Sequence, residues 1–500
     1  MDYKKLQNGS DIRGVALEGI EGQNVNLTER VCRDIGRGFA LWLIEKKNKT
    51  NLNVAVGRDS RLSGENLCNW ICSAMVESGL NITDFGMAST PAMFMATVTE
   101  GYEFDGTIMI TASHLPFNRN GFKFFTSLGG LEKEDIKQIL AYAESDKVTS
   151  LPKGSFNKGE FMNAYSNILV KKIKDATGEE QPLKGFKIVV DAGNGAGGFY
   201  VDKVLKPLGA DTNGSRFLEP DGSFPNHIPN PEDKGAMQSI TEAVIENKAD
   251  LGIIFDTDVD RAGAVLSDGS ELNRNRIIAM LSAILLREHP GTTIVTDSIT
   301  STGLAKFIEE KGGVHHRFKR GYRNVINESI RLNNNGQDSQ LAIETSGHGA
   351  LKENYFLDDG AYLVTKLLIE LARGKKQGYT LASLIASLEE PKESVEFRMN
   401  IKLDNFKEYG QKVIDELNVY AKSTCGFTLA DNNYEGVRVN LNEENGNGWF
   451  LLRLSLHDPL LPLNIESNSI GGAKIIAKKL FDFIKNYDNL DFTSLENFIK

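Results

Sequence analysis

The chain has 500 residues, 25% of them charged, and a formal net charge of -10. That length exceeds what one hydrophobic core usually organises, so three or four domains are expected. The acidic balance argues against generic nucleic-acid or anionic-membrane binding, which call for a basic surface. A small anionic substrate stays compatible with it, because a local cluster of Arg and Lys overrides a global balance. The N-terminus, Met1-Asp2-Tyr3-Lys4-Lys5, is polar, and no apolar run approaches the roughly 20 residues of a membrane span. The chain therefore reads as cytoplasmic. Cys32, Cys68, Cys72 and Cys425 form no CxxC pair, and Cys68 and Cys72, four apart on one helix face beside Leu67 and Ile71, read as buried free thiols rather than metal ligands.

In chain order, residues 29–46 carry apolar side chains at helical spacing, 53–56 read as a strand and 65–78 as a second helix. An apolar strand at 107–110 ends at Ser113-His114, and a short apolar run carrying Lys123 follows. The polar stretch 145–157 makes a linker. Residues 187–190 form another strand, and the glycine-rich 191–198 behind it reads as a tight strand-to-helix turn, since its glycines match neither a P-loop nor a dinucleotide fingerprint. Strands at 251–255 and 293–295 repeat the theme of a buried strand ending in a polar loop. Beyond 389–392 the pattern becomes strand (395–401), helix (406–420), strands (437–441 and 449–454) and helix (473–484). This is α/β grammar: similar mixed-sheet α/β domains followed by a smaller C-terminal α+β domain. The boundaries fall at 1–154, 155–272, 273–391 and 392–500. In such folds functional groups gather beyond the strand carboxyl ends.

Three strand ends carry candidate chemistry. Ser113 offers a hydroxyl nucleophile with a basic partner, His114 or Lys123, within reach. Asp256, Asp258 and Asp260 alternate on a loop, and oxygen donors so spaced can converge on one hard cation such as Mg²⁺. The same run also resembles the nucleophile motif of haloacid-dehalogenase phosphatases, in which Asp256 would be phosphorylated and Asp258 would be the acid/base. Glu344-Thr-Ser-Gly-His348 sets a carboxylate and a hydroxyl, Ser346, two residues apart, a spacing suited to adjacent sugar hydroxyls or simply to a turn. Arg13, Arg58, Lys319 and Arg320 before Gly321, and Arg453 lie beside glycines or strand ends, where phosphate recognition fits them.

Together these motifs resemble the α-D-phosphohexomutase family, the phosphoglucomutase/phosphomannomutase group, over nearly the whole chain. Thr111-Ala-Ser-His-Leu-Pro116 with Asn120-Gly-Phe-Lys123 is similar to the family's phosphoserine loop, and Asp256-Thr-Asp-Val-Asp-Arg261 to its metal loop. Glu344-Thr-Ser-Gly-His348, followed by Asp358-Asp359-Gly360, is similar to its sugar-specificity loop. The resemblance implies four domains around a central cleft and a phosphohexomutase acting on mannose or glucose phosphates. Phosphorylated Ser113 would convert hexose 1-phosphate to hexose 6-phosphate through a hexose 1,6-bisphosphate, which also serves as activator. One Mg²⁺ would be held by Asp256, Asp258, Asp260 and the Ser113 phosphate. Lys123 and His348 would move protons and Arg13 would hold the transferring phosphate. Arg58, His114, Arg261, Lys319, Arg320, Gly321, Glu344, Ser346, Arg453, Ser455 and His457 would bind substrate, in a monomer or dimer with no nucleic-acid or membrane partner.

Two departures stand out. Thr257 and Val259 replace the metal loop's usual glycines. The distal phosphate loop, commonly Arg-x-Ser-Gly-Thr-Glu-Pro, reads Arg453-Leu-Ser-Leu-His-Asp-Pro459, where Leu456 lacks glycine's freedom at positive φ and His457 offers a new donor. Three other activities compete with the leading one. These are phosphoglucosamine mutase, an Asp256-dependent sugar phosphatase and a sugar-phosphate sensor without catalysis.

Overall fold

The computed structural model describes residues 2–431, 433–455 and 458–500. The chain forms two compact units, residues 1–273 with 346–383, and residues 274–345 with 384–500.

In the first unit, strand Gly106–Ile110 is the hub of a mixed sheet. Strands Asn53–Arg58, Asn81–Met87 and Phe156–Lys158 extend the sheet in parallel on one side. Arg119–Thr126 and then Asp11–Val15 pair antiparallel on the other. All five residues of Gly106–Ile110 are buried, which explains a continuous apolar run in place of alternation. Helix Glu29–Lys47 starts at Thr28, whose hydroxyl accepts from Val31 N–H, and buries Val31, Ile35, Phe39 and Leu43 at helical spacing. Gly36 and Gly38 let neighbouring helices approach. A Cβ there would lie 2.7 Å from Ile71 O and 2.4 Å from Ile139 O. A second sheet pairs Leu251–Phe255 parallel to Ile188–Asp191 and antiparallel to Ala262–Leu266. Hairpin strands Gly349–Leu351 and Leu357–Asp358 precede helix Gly360–Gln377.

In the second unit, Thr293–Thr296 lies between Val314–Arg317 and Ser339–Ile343, all parallel. The C-terminal part is an antiparallel sheet with helices Phe406–Ser423 and Gly472–Ile484 packed into its core. One of its strands, Leu460–Ser467, was not expected from the sequence. It carries Pro462, which usually excludes a central strand, yet it pairs with both Glu393–Asn400 and Gly448–Leu452. The Pro462 carbonyl still accepts from Arg453 N–H at 3.1 Å. No described helix is long and apolar enough to cross a membrane. Cys68 and Cys72 are buried as expected, as is Cys32, whereas Cys425 is exposed.

The C-terminal sheet holds a buried carboxyl, Glu466, which accepts from Trp449 Nε1 at 3.0 Å. The Arg438 guanidinium stacks 3.6 Å from the same indole and donates to Ser298 O at 2.8 Å. Burial pushes the Glu466 carboxyl up to about 7, against the opposing pull of Arg438 and Trp449. A carboxyl with a raised folded-state pKa binds its proton more tightly in the folded state, so stability falls as pH rises from its ordinary 4.5 through about 7. Glu466→Gln should therefore gain on the wild type by up to roughly 3 kcal/mol between pH 4.5 and pH 7.5. Hydrogen-exchange protection of Gly448–Leu452 at the two pH values checks this, and an equal response in both proteins would contradict it.

Candidate active site

The first unit brings Ser113, the three aspartates, Arg261, Lys123 and His348 into one cluster. Ser113 stands just past the end of Gly106–Ile110 at φ +51°, in the left-handed region. Its hydroxyl donates to Asp256 Oδ2 at 3.1 Å and accepts from Arg261 Nη2 at 2.6 Å. His114 Nδ1 lies 3.4 Å from the hydroxyl and itself accepts from Arg261 Nη2 at 2.5 Å. Burial within the loop and the Arg261 charge push the His114 pKa down, so the ring is neutral. Arg13 donates to the Thr111 carbonyl and pairs with Asp11 at 2.8 Å. Its strand runs beside Gly121, where any Cβ would strike Ile12 O at 2.0 Å.

Leu251–Phe255 delivers the aspartates. Asp256, Asp258 and Asp260 are buried, and each offers an oxygen within 4.8 Å of the others. Lys123 donates to Asp258 Oδ2 at 3.0 Å and to Asp260. Burial opposes the Lys123 charge, yet Asp258 and Asp260 hold its pKa well above the usual lysine value. Burial likewise pushes the Asp256 carboxyl up, aided by repulsion from Asp260 and Asp258. Asp258 and Asp260 are held below the ordinary range despite burial, chiefly because Lys123 faces both. Asp258 Oδ1 and Asp260 Oδ1 are buried without a hydrogen-bond partner. Such oxygens are costly to leave bare, and hard oxygen donors converging this way fit a divalent cation. The chain thus contains an acidic metal-binding group.

The metal loop is held by packing around Val259 and by a close backbone approach at Thr257. Val259 takes φ +67° and is fully buried, so backbone strain there is held by packing. Gly195, from the glycine-rich turn behind Ile188–Asp191, lies against the loop, where a Cβ would stand 2.6 Å from Thr257 O and 2.8 Å from its Cα.

An isolated bridge between Arg261 and His348 carries the histidine to the cluster. His348 Nδ1 lies 2.5 Å from Asp358 Oδ2 and 3.9 Å from Asp260 Oδ1. Burial works against its charge, but Asp358 and Asp260 raise its pKa to about 9. Gly347, at φ +92°, allows the close pass, since a Cβ would lie 2.8 Å from Ala262 O. Ser346 is buried in the same unit. Sequence reasoning missed three supports. Thr90 donates to Asp258 Oδ2 at 2.5 Å, Tyr165 donates to Asp359 at 2.7 Å, and Arg61 grips the Ser113 loop. Asp358 and Asp359 were visible as a motif, while Thr90 and Tyr165 gave no local signal. Arg58, picked out from the same run as Arg61, pairs with Asp84 at 3.3 Å.

The other basic candidates belong to the second unit. Lys319, Arg320, Lys407 and Ser455 line a cavity of about 570 Å³ there, with Glu435. Arg320 N–H donates to Glu435 Oε2 at 3.0 Å, and Arg453 Nη1 lies 3.8 Å from Glu435 Oε1. Gly321, at φ +114°, donates its N–H to Glu344 Oε1 at 2.5 Å. Ser455 N–H donates to Leu460 O at 3.0 Å. His457, with Leu456, lies outside the described residues.

Gly195→Ala should push the metal loop outward, costing about 1–3 kcal/mol and weakening Mg²⁺ affinity about tenfold, the equivalent of 1.4 kcal/mol. Isothermal titration with Mg²⁺ checks this. Unchanged affinity would separate the turn from the metal loop.

Residues 4–149, 160–269 and 273–390 match phosphoglucomutase/phosphomannomutase alpha/beta/alpha domains I, II and III in order. A Neisseria meningitidis protein named phosphoglucomutase is 31% identical over 95% of this chain and 96% of its own. A Pseudomonas putida phosphomannomutase/phosphoglucomutase is 32% identical over 83% of this chain and 84% of its own. The crystal structure of a phosphoglucomutase/phosphomannomutase family protein from Burkholderia thailandensis superposes with a TM-score of 0.77 at 27% identity, covering 96% of both chains. The fold is accordingly three similar mixed-sheet α/β domains plus a C-terminal domain. With three domains matched in order and relatives above 30% identity along most of its length, the chain belongs to the α-D-phosphohexomutase family of isomerases.

Proposed function

We propose that this hexose phosphate mutase interconverts the 1- and 6-phosphates of glucose and mannose through a phosphoserine at Ser113. The observation that carries the reading is the Ser113 hydroxyl, 3.1 Å from Asp256 in a buried carboxylate trio and 2.6 Å from Arg261. A hydroxyl among cations and carboxylates suits a phosphoryl group that comes and goes. In the forward direction O6 of a hexose 1-phosphate attacks the phosphorus on Ser113 and the Oγ–P bond breaks. The resulting 1,6-bisphosphate turns over, Ser113 Oγ attacks the phosphorus on O1, and hexose 6-phosphate leaves. A trace of the bisphosphate keeps the serine charged.

Each transfer strips a proton from the attacking hydroxyl and returns one to the leaving oxygen. Lys123 and His348 are the groups proposed to carry these protons: the one acting as base must first have given up its own proton, the other donates to the leaving oxygen, and Asp358 holds the His348 ring in place. Arg13 and Arg261 steady the transferring group. Mg²⁺ held by Asp256, Asp258, Asp260 and the phosphoserine would neutralise charge on the transferring oxygens. Glu344 and Ser346 are assigned to the sugar hydroxyls. Lys319, Arg320, Gly321, Arg453 and Ser455 are assigned to the other phosphate, with Arg58, His114 and His457 as further substrate contacts. The domain division at 154, 272 and 391 and a cytoplasmic location belong to the same proposal.

The phosphatase reading fits less well, because Asp256 already receives the Ser113 hydroxyl and Arg261 Nε at 3.2 Å. A coupled isomerisation assay with Mg²⁺, bisphosphate activator and the 1-phosphates of glucose, mannose and glucosamine tests the proposal. Glucose and mannose 1-phosphates should be converted, and Ser113→Ala should lower kcat about a thousandfold or more. Conversion of glucosamine 1-phosphate alone would move the assignment to a phosphoglucosamine mutase. No conversion of any of the three would overturn it.

A further inference from the structure

Arg61 lies in the turn between strand Asn53–Arg58 and helix Gly64–Glu77, and its side chain is fully buried. Nη1 donates to the carbonyls of Pro116 and Arg119, each at 2.9 Å. Nη2 donates to the carbonyls of Ser113 at 2.5 Å and Leu115 at 2.6 Å. Four backbone carbonyls of one short loop therefore converge on a single guanidinium. Behind it, Asp59 Oδ2 lies 3.4 Å from Nε, and Asp59 Oδ1 accepts the Arg61 N–H at 2.9 Å. The guanidinium carbon stands 5.2 Å from the Phe224 ring centre.

Ser113 sits at φ +51°, a conformation that non-glycine residues hold only when their surroundings impose it. The Ser113 carbonyl is fastened to Arg61, while its N–H donates to Thr111 Oγ1 at 2.8 Å. With both peptide groups fixed, the side chain is left facing Asp256 and Arg261. Lysine has a single donor centre and no planar fork, so it cannot reach four carbonyls from one place.

We infer that Arg61 is a positioning residue for phosphoryl transfer, gathering the carbonyls of the Ser113 loop so that Ser113 Oγ stays aligned with the carboxylate cluster. This rests on the reading of Ser113 as phosphoryl carrier. Arg61 touches neither the hydroxyl nor the substrate, and its effect runs entirely through the loop backbone.

Arg61→Lys keeps a charge opposite Asp59, and Asp59→Asn keeps the acceptor for Arg61 N–H while removing the counter-charge. Each full-length variant is compared with wild type for melting temperature, kcat, KM, and the rate at which Ser113 takes phosphate from a hexose 1,6-bisphosphate, followed by intact mass. Arg61→Lys should lower kcat and the phosphorylation rate by about 100-fold, as small misplacements of a reacting group do, with KM within about threefold. Asp59→Asn should lower both rates about tenfold by loosening the clamp. If Arg61→Lys does not fold, Asp59→Asn decides. A folded variant that phosphorylates Ser113 at the wild-type rate would overturn the inference. If wild type itself takes no phosphate on Ser113, the mutase mechanism fails instead.

Discussion

Three carboxylates buried within 4.8 Å of one another repel strongly in a low-dielectric interior, and the architecture of the first unit answers that repulsion. Lys123 is brought by an antiparallel strand paired to Gly106–Ile110, and Arg261 follows directly from the metal loop. His348 arrives on the bridge to Arg261, with Asp358 as its own counter-charge. Each cation approaches from a different element, so the cluster stays intact only while both sheets and the segment carrying His348 hold their places. The same balance suits phosphoryl transfer, where negative charge arrives and leaves with each half-reaction.

Two strained backbone positions lie where this cluster is assembled. Ser113 and Val259 both sit in the left-handed region, at φ +51° and +67°. Neither is glycine, and a β-branched residue there is an outlier. Both are pinned by neighbours. Arg61 and Thr111 hold the peptide groups of Ser113, while Val259 N–H donates to Asp256 O at 3.3 Å and its carbonyl accepts from Gly360 N–H at 3.1 Å. The substitution of Val259 for the family's glycine is thus accommodated by packing and hydrogen bonds instead of by conformational freedom.

Much of this was legible in the sequence because chemistry at strand ends is local. Apolar runs stop at Ser113, Asp256 and Glu344, and the residues just beyond them carry the motif. What the sequence concealed is partnership over long separations. Arg58 and Arg61 look alike in the sequence, yet one pairs with Asp84 while the other disappears under the Ser113 loop. Burial is decided by distant elements, here Pro116 and Phe224, which no local pattern announces. Thr90 reaches Asp258 across 168 positions for the same reason. The strand Leu460–Ser467 was hidden by Pro462, whose penalty the rest of the strand's pairing outweighs.

The central claim is that Ser113, poised against the carboxylate cluster, carries the phosphoryl group. Its most direct test is to incubate the protein with glucose 1,6-bisphosphate labelled with radioactive phosphorus and Mg²⁺, then locate the label by peptide mapping. The account predicts one hydroxylamine-stable phosphate per chain on Ser113, absent from Ser113→Ala. A hydroxylamine-labile acyl phosphate on Asp256, or label that persists in Ser113→Ala, would contradict it.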